Sequence, residues 1–195
     1  MKFLRPITNL EKLEKIDASL SWVVRYQSQP RGPVEITLFK LAKWVAVPSI
    51  SESLLTPMGL SNRARTCLER RANELWGVLL NSSRVFAYTV PITLDGLEEF
   101  RREMGASCCA LFAGEPKPDW VLLSIERELD VIAGPSDFVR QFLGCEIEEA
   151  FSRFQNKVME EPMPKQVREY LLLVHDRLKG HYQSAEVDAE FSLNP

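Results

Sequence analysis

The most regular alternation of apolar and polar positions runs from Trp120 to Ala133. Trp120, Leu122, Ser124 and Glu126 alternate with Val121, Leu123 and Ile125, which predicts a strand with one wholly apolar face and a second face that turns polar. The charged triplet Glu126-Arg127-Glu128 separates it from Leu129 to Ala133, so the two runs are expected to pair as an antiparallel hairpin. Gly134 and Pro135 end the second run, because proline brings no ladder donor. Ser136 or Asp137 then caps a helix whose stripe is Phe138, Val139, Phe142 and Leu143, and Gly144 stands where a left-handed terminal residue belongs. Trp120 and Leu122, or their alternating partners Val121 and Leu123, with Val131, Phe138 and Phe142, are the expected centre of the fold.

Elsewhere the period is helical or mixed. Thr8 to Glu11 has the spacing of a capping box, and Leu10, Leu13, Ile16 and Leu20 share one helical face. The β-branched and aromatic content of Leu20 to Tyr26 favours a strand. Gln27 to Pro33 is a turn, and Val34, Ile36, Leu38 with Lys43 to Val47 predict a β-rich hairpin ending before Pro48. Ser49 to Ser61 reads as a packed loop and the best lid. Ser61 then caps a helix in which Ala64, Cys67, Leu68, Ala72, Leu75, Trp76 and Leu79 recur at steps of three and four.

Val85 to Val90 is a predicted strand, Thr93 caps a helix carrying Leu97, Phe100 and Met104, and Cys108 to Ala113 is a strand. Ile147, Ala150, Phe151, Phe154 and Val158 make an amphipathic helix, and a last helix runs from about Lys165 to Lys179 with Gly180 as its stop. The segments around Pro91 and Pro135 repeat one order: strand, proline break, helix, glycine stop. Short connections between strands predict an α+β fold with a mainly antiparallel sheet and helices packed on it. Residues 1–182 are expected to form a single globular domain, with residues 183–195 an acidic tail that is mobile or docked only by Phe191 and Leu193.

Composition places the chain among soluble proteins: 195 residues and 45% hydrophobic content suffice for one continuous core. Its apolar runs are far shorter than the ~20 residues of a bilayer span, so no membrane association is expected. Charges spaced through the first residues argue against a secretory leader, and Cys67, Cys108, Cys109 and Cys145 lack a disulfide or zinc spacing, which points to the cytoplasm. Charge is divided unequally. Residues 1–90 carry a net +6 and residues 91–195 a net −9, so the molecule is dipolar.

Candidate chemistry is sparse. His175 and His181 are the chain's two histidines, and His175 beside Asp176 has the look of a surface residue on the last helix. A Cys–His pair would require Cys108, Cys109 or Cys145 to meet one of them in space. Adjacent acidic pairs such as Glu98-Glu99 point about 100° apart on a helix and read as solvated faces. No phosphate-loop glycine pattern occurs. No catalytic residue, metal site or cofactor is therefore assigned.

Arg63, Arg65, Arg70 and Arg71 form the densest basic cluster, which Trp44 extends as a candidate binding surface. The overall reading is a non-catalytic protein-binding or regulatory module, of adaptor, inhibitor or immunity type, whose partner is another protein. The alternatives are an enzyme or small-molecule sensor with a dispersed pocket, and an RNA- or DNA-binding accessory protein using the Arg63–Arg71 helix.

Overall fold

The computed structural model describes residues 2–27, 35–39, 41, 43–50, 66–69, 74–80, 85–104, 108–125, 129–183 and 190–193. The strands are β1 (Arg5–Pro6), β2 (Val24–Gln27), β3 (Glu35–Phe39), β4 (Trp44–Ile50), β5 (Leu75–Leu79), β6 (Phe86–Val90), β7 (Cys109–Ala113), β8 (Trp120–Ile125), β9 (Leu129–Pro135) and β10 (Glu190–Ser192). The helices are α1 (Leu10–Leu20), α2 (Leu94–Met104), α3 (Ser136–Leu143), α4 (Ile147–Glu160) and α5 (Lys165–Gln183), and residues 66–69 are also helical. A seven-stranded sheet has the order β1-β6-β5-β7-β8-β9-β4, and a three-stranded sheet the order β10-β3-β2. Every pairing is antiparallel, and the chain is an α+β protein.

The expected hairpin is β8 and β9, in register from Val121↔Ala133 to Ile125↔Leu129. All of β7 and β8 is buried, so both faces of the central strands are covered, where the sequence pattern suggested one better-buried face. Directly paired residues share a face and successive residues alternate, which fixes where each helix lies. Trp120 and Gly134 meet α3 on one face, with the Trp120 and Phe138 rings stacked at 5.5 Å. α2 lies on that face too, because a Cβ on Gly77 would overlap the Phe100 ring. Ala46 and Ala133, paired with each other, point the opposite way and meet Leu178 and Tyr182 of α5.

Several boundaries differ from the expectation. Asn9, one residue past the predicted cap, accepts the Lys12 N–H at 2.9 Å and starts α1, which leaves Leu10 exposed. β3 and β4 form no hairpin: β3 joins β2 and β10, whereas β4 pairs with β9 across the large sheet. β4 also continues through Pro48, which an edge strand tolerates because its outer side needs no donor. The predicted helix from Ser61 does not reach Leu79, since Leu75–Leu79 is β5, held between β6 and β7. Its apolar residues suit either period; Gly77 weakens the helix, and Trp76 and Val78 favour the strand once two partners supply ladder bonds. The loop Ser51 to Ser61 lies outside the described residues.

α2 follows its prediction: Thr93 Oγ1 accepts the Gly96 N–H at 3.1 Å. α3 begins without a side-chain cap, Pro135 holding the cap position, and ends at Gly144 with φ 73°. α5 runs through Gly180 to Gln183, beyond the predicted stop; an added Cβ at Gly180 would meet open space, so no close approach fixes a turn there. At the C-terminal end, β10 adds to β3 and Leu193 is buried.

Candidate functional site

The interior holds the chemically capable side chains. Across the large sheet the register places Cys109 beside Ser124, Ser124 beside Asp130 and Asp130 beside Ser49, one lateral row of polar residues on the α2–α3 face. Cys109 and Asp130 are buried, as is Ser124. Burial first, and then the neighbouring Asp130 and Cys108, push the Cys109 thiol far above its ordinary value. A protonated thiol is a packing group at neutral pH, not a nucleophile. Cys67 and Cys108 are buried as well, and Cys145 is half-buried.

His175 is buried, where the sequence suggested a surface histidine. Its ring stacks on Phe154 at 6.1 Å and meets Phe151 edge-on at 5.6 Å, so α4 and α5 close over it. Nδ1 lies 2.9 Å from Asp176 Oδ1, a contact between adjacent helix residues that simple divergence would not predict. An Nδ1–H donated to that carboxylate leaves Nε2 as the bare acceptor, and Nε2 is buried with no hydrogen-bond partner among the described residues. The α5 side carries His175 while Cys109 faces α2 and α3, so the sheet stands between them and this Cys–His pair does not form.

Glu99 also departs from the solvated reading. Its carboxylate is buried and accepts the backbone N–H groups of Lys2, Phe3 and Leu4, the last at 3.1 Å. Burial alone would raise its pKa, but the three donors outweigh it and hold the group below the usual carboxylate range.

The surface offers a different arrangement. Where α3 turns into α4, Asp137, Arg140, Gln141, Gly144, Cys145 and Glu146 line an open groove of about 440 Å³. Left-handed Gly144 makes that turn, and Arg140 reaches across it to Glu146 at 3.5 Å. The helical residues 66–69 lie alongside, with Cys67 Sγ 3.9 Å from Gln141 Oε1. Nearby, Tyr182 donates to Glu148 at 2.7 Å, which lowers the carboxyl pKa and raises that of the phenol.

Arg63, Arg65, Arg70 and Arg71 lie outside the described residues, so the structure does not place them relative to Trp44. Trp44 is buried and lines an apolar cleft with Phe39, Ala133, Leu178, His181 and Tyr182. The cleft's enclosed space is about 10 Å³, room for one water, which makes Trp44 a packing residue there. Asp130, Ser124, Glu99 and the burial of His175 were missed in the sequence. For Asp130 a signal existed: a lone carboxylate inside an apolar strand run is buried unless the strand is an edge. Among the described residues no group of three or more His, Cys, Asp or Glu side chains is disposed to hold a metal ion, and no helix is long and apolar enough to cross a membrane. Comparison with family models, curated proteins and solved structures finds no match.

Proposed function

We propose that the chain is a non-catalytic protein-binding module that acts through a charged surface. The observation that carries this reading is the α3–α4 groove, open and lined by side chains of both signs, with residues 66–69 of the arginine-bearing segment beside it. Mixed charge around a shallow concavity suits recognition of a folded partner by electrostatic complementarity. The inward use of Cys109, His175 and Glu99 supports the same reading, since each has a structural occupation. A second reading, an enzyme or small-molecule sensor, is supported by the buried Ser124–Asp130 pair.

Cys145 supplies the test, because Cys67, Cys108 and Cys109 are buried and a thiol-directed photocrosslinker goes to the half-buried thiol at the groove. Crosslinking in native extract is expected to join the chain to a protein. No protein adduct, together with a small molecule that raises Tm, would favour the sensor reading. Tight RNA binding that weakens steeply with salt would favour the nucleic-acid reading.

A further inference from the structure

Residues 2–7 form a strap along the outer edge of the large sheet. β1 pairs with β6 through Arg5↔Thr89 and Pro6↔Tyr88, and the Ile7 N–H donates to the Ala87 carbonyl at 2.9 Å. Of the strap's side chains only Leu4 is buried; Phe3 and Ile7 are half-buried, and Lys2, Arg5 and Pro6 are exposed. Its other anchor is Glu99 of α2, whose buried carboxylate accepts the N–H groups of Lys2, Phe3 and Leu4 in succession. One ionisable side chain thus holds three consecutive residues, while a single leucine supplies the buried apolar seat.

We infer that residues 2–7 are a pH-sensitive strap: ionised Glu99 holds it shut, and protonation of that carboxylate opens it with the rest of the sheet still folded. An N–H group bonds a carboxylate roughly twice as strongly as a neutral acceptor, and a protonated carboxyl adds an O–H donor where three donors already converge. Opening leaves no amide unsatisfied, because the released N–H groups pass to water. Burial opposes the charge, yet the Phe3, Lys2 and Leu4 donors and the terminal amine outweigh it and hold the carboxyl below its ordinary 4.5. Arg102 of α2, 3.9 Å away, adds a further positive charge. Lys2, Arg5, Glu98 and Glu103 are exposed, Arg101 is half-buried, and β6 carries only Tyr88 as a titratable group. Because the closed-state pKa is the lower one, the hold on the strap is complete above 4.5 and is lost as pH falls through the closed-state value. The open strap leaves β6 as an edge strand with bare N–H and C=O groups.

Hydrogen exchange of the full chain, corrected for the intrinsic pH dependence of amide exchange, tests this. Between about pH 6 and about pH 3, opening at Phe3, Leu4 and Ile7 should rise by at least about tenfold while Leu111 and Leu122 stay unchanged. Glu99→Gln keeps one acceptor oxygen and loses the charge, so its strap should open near pH 6 as readily as the wild type's does near pH 3, and stay so. Should that variant fail to fold, the wild-type profile alone decides. Strap and core opening together in acid would overturn the proposal. So would a strap whose opening ignores pH, or a folded Glu99→Gln variant that keeps the wild-type pH response.

Discussion

β6 with α2, and β9 with α3, place an aromatic ring over a glycine of the sheet, but they find that glycine in different ways. In the second unit Phe138 packs on Gly134 of its own strand and on Trp120 of the adjoining one, all within a short stretch of chain. In the first, Phe100 packs on Gly77, which belongs to β5 and not to the strand that leads into α2. The lesson concerns range. A device whose parts are neighbours in sequence is written in the local pattern, whereas one that borrows a glycine from another strand becomes visible only when that strand is known to pair.

Removing the ring of the local unit should have the largest effect. Phe138→Ala loses the Trp120 stack and leaves a cavity under α3, and a buried phenylalanine truncation typically costs about 3–5 kcal/mol. Urea denaturation reads this directly. A variant within about 1 kcal/mol of wild type would mean that α3 is peripheral.

Filling the two glycines separates the units more sharply. Gly77→Ala forces Phe100 aside and is expected to destabilise by about 1–3 kcal/mol, with part of the loss recovered in the double variant with Phe100→Leu. Gly134→Ala meets Phe138 at 3.0 Å and Trp120 at 3.1 Å, so a few tenths of an ångström of relaxation suffice and the cost is smaller. The opposite order would mean that Gly134 is the tighter contact of the two.

Capping gives a smaller contrast. Thr93→Ala should cost about 1 kcal/mol because it strips the acceptor for Gly96, while Ser136→Ala should change stability little, α3 having no side-chain cap to lose. Thermal unfolding of the pair distinguishes them.

The first unit also carries a pH signature through Glu99 on α2. Its folded pKa is depressed, so the stabilisation is present above the unfolded value of 4.5 and is lost as pH falls through the folded one. Denaturation midpoints of the wild type should therefore fall faster in acid than those of Glu99→Gln. Parallel profiles would show that the three backbone donors do not distinguish the ionised carboxylate.

The same contrast of range explains what the sequence disclosed. The β8–β9 hairpin, α3, α4 and the burial of Val131, Phe138 and Phe142 were legible because period, breaker and cap all agreed locally, whereas the choice between the two faces of β8 was not, both being buried. β5 was read as helix because its apolar residues fit both periods until β6 and β7 flank it, and β3 and β4 were joined because nothing in their sequence says that they serve different sheets. At the level of sites, Arg140 and Glu146 drew no notice as charged residues around a glycine turn. Their groove arises from the angle between α3 and α4, which Gly144 sets and which no spacing encodes. Asp130 and Glu99 were hidden for another reason: burial of a carboxylate depends on which elements cover it.

In the proposed reading the interior holds the fold together and the α3–α4 junction binds the partner. Arg140→Glu separates the two roles, because Arg140 is exposed and its ion pair with Glu146 is a surface pair. Affinity for the partner crosslinked through Cys145 should fall by about tenfold or more, a loss of about 1.4 kcal/mol, and stability should stay within about 0.5 kcal/mol of wild type. Unchanged affinity in a folded Arg140→Glu variant would rule out the α3–α4 groove as the binding surface.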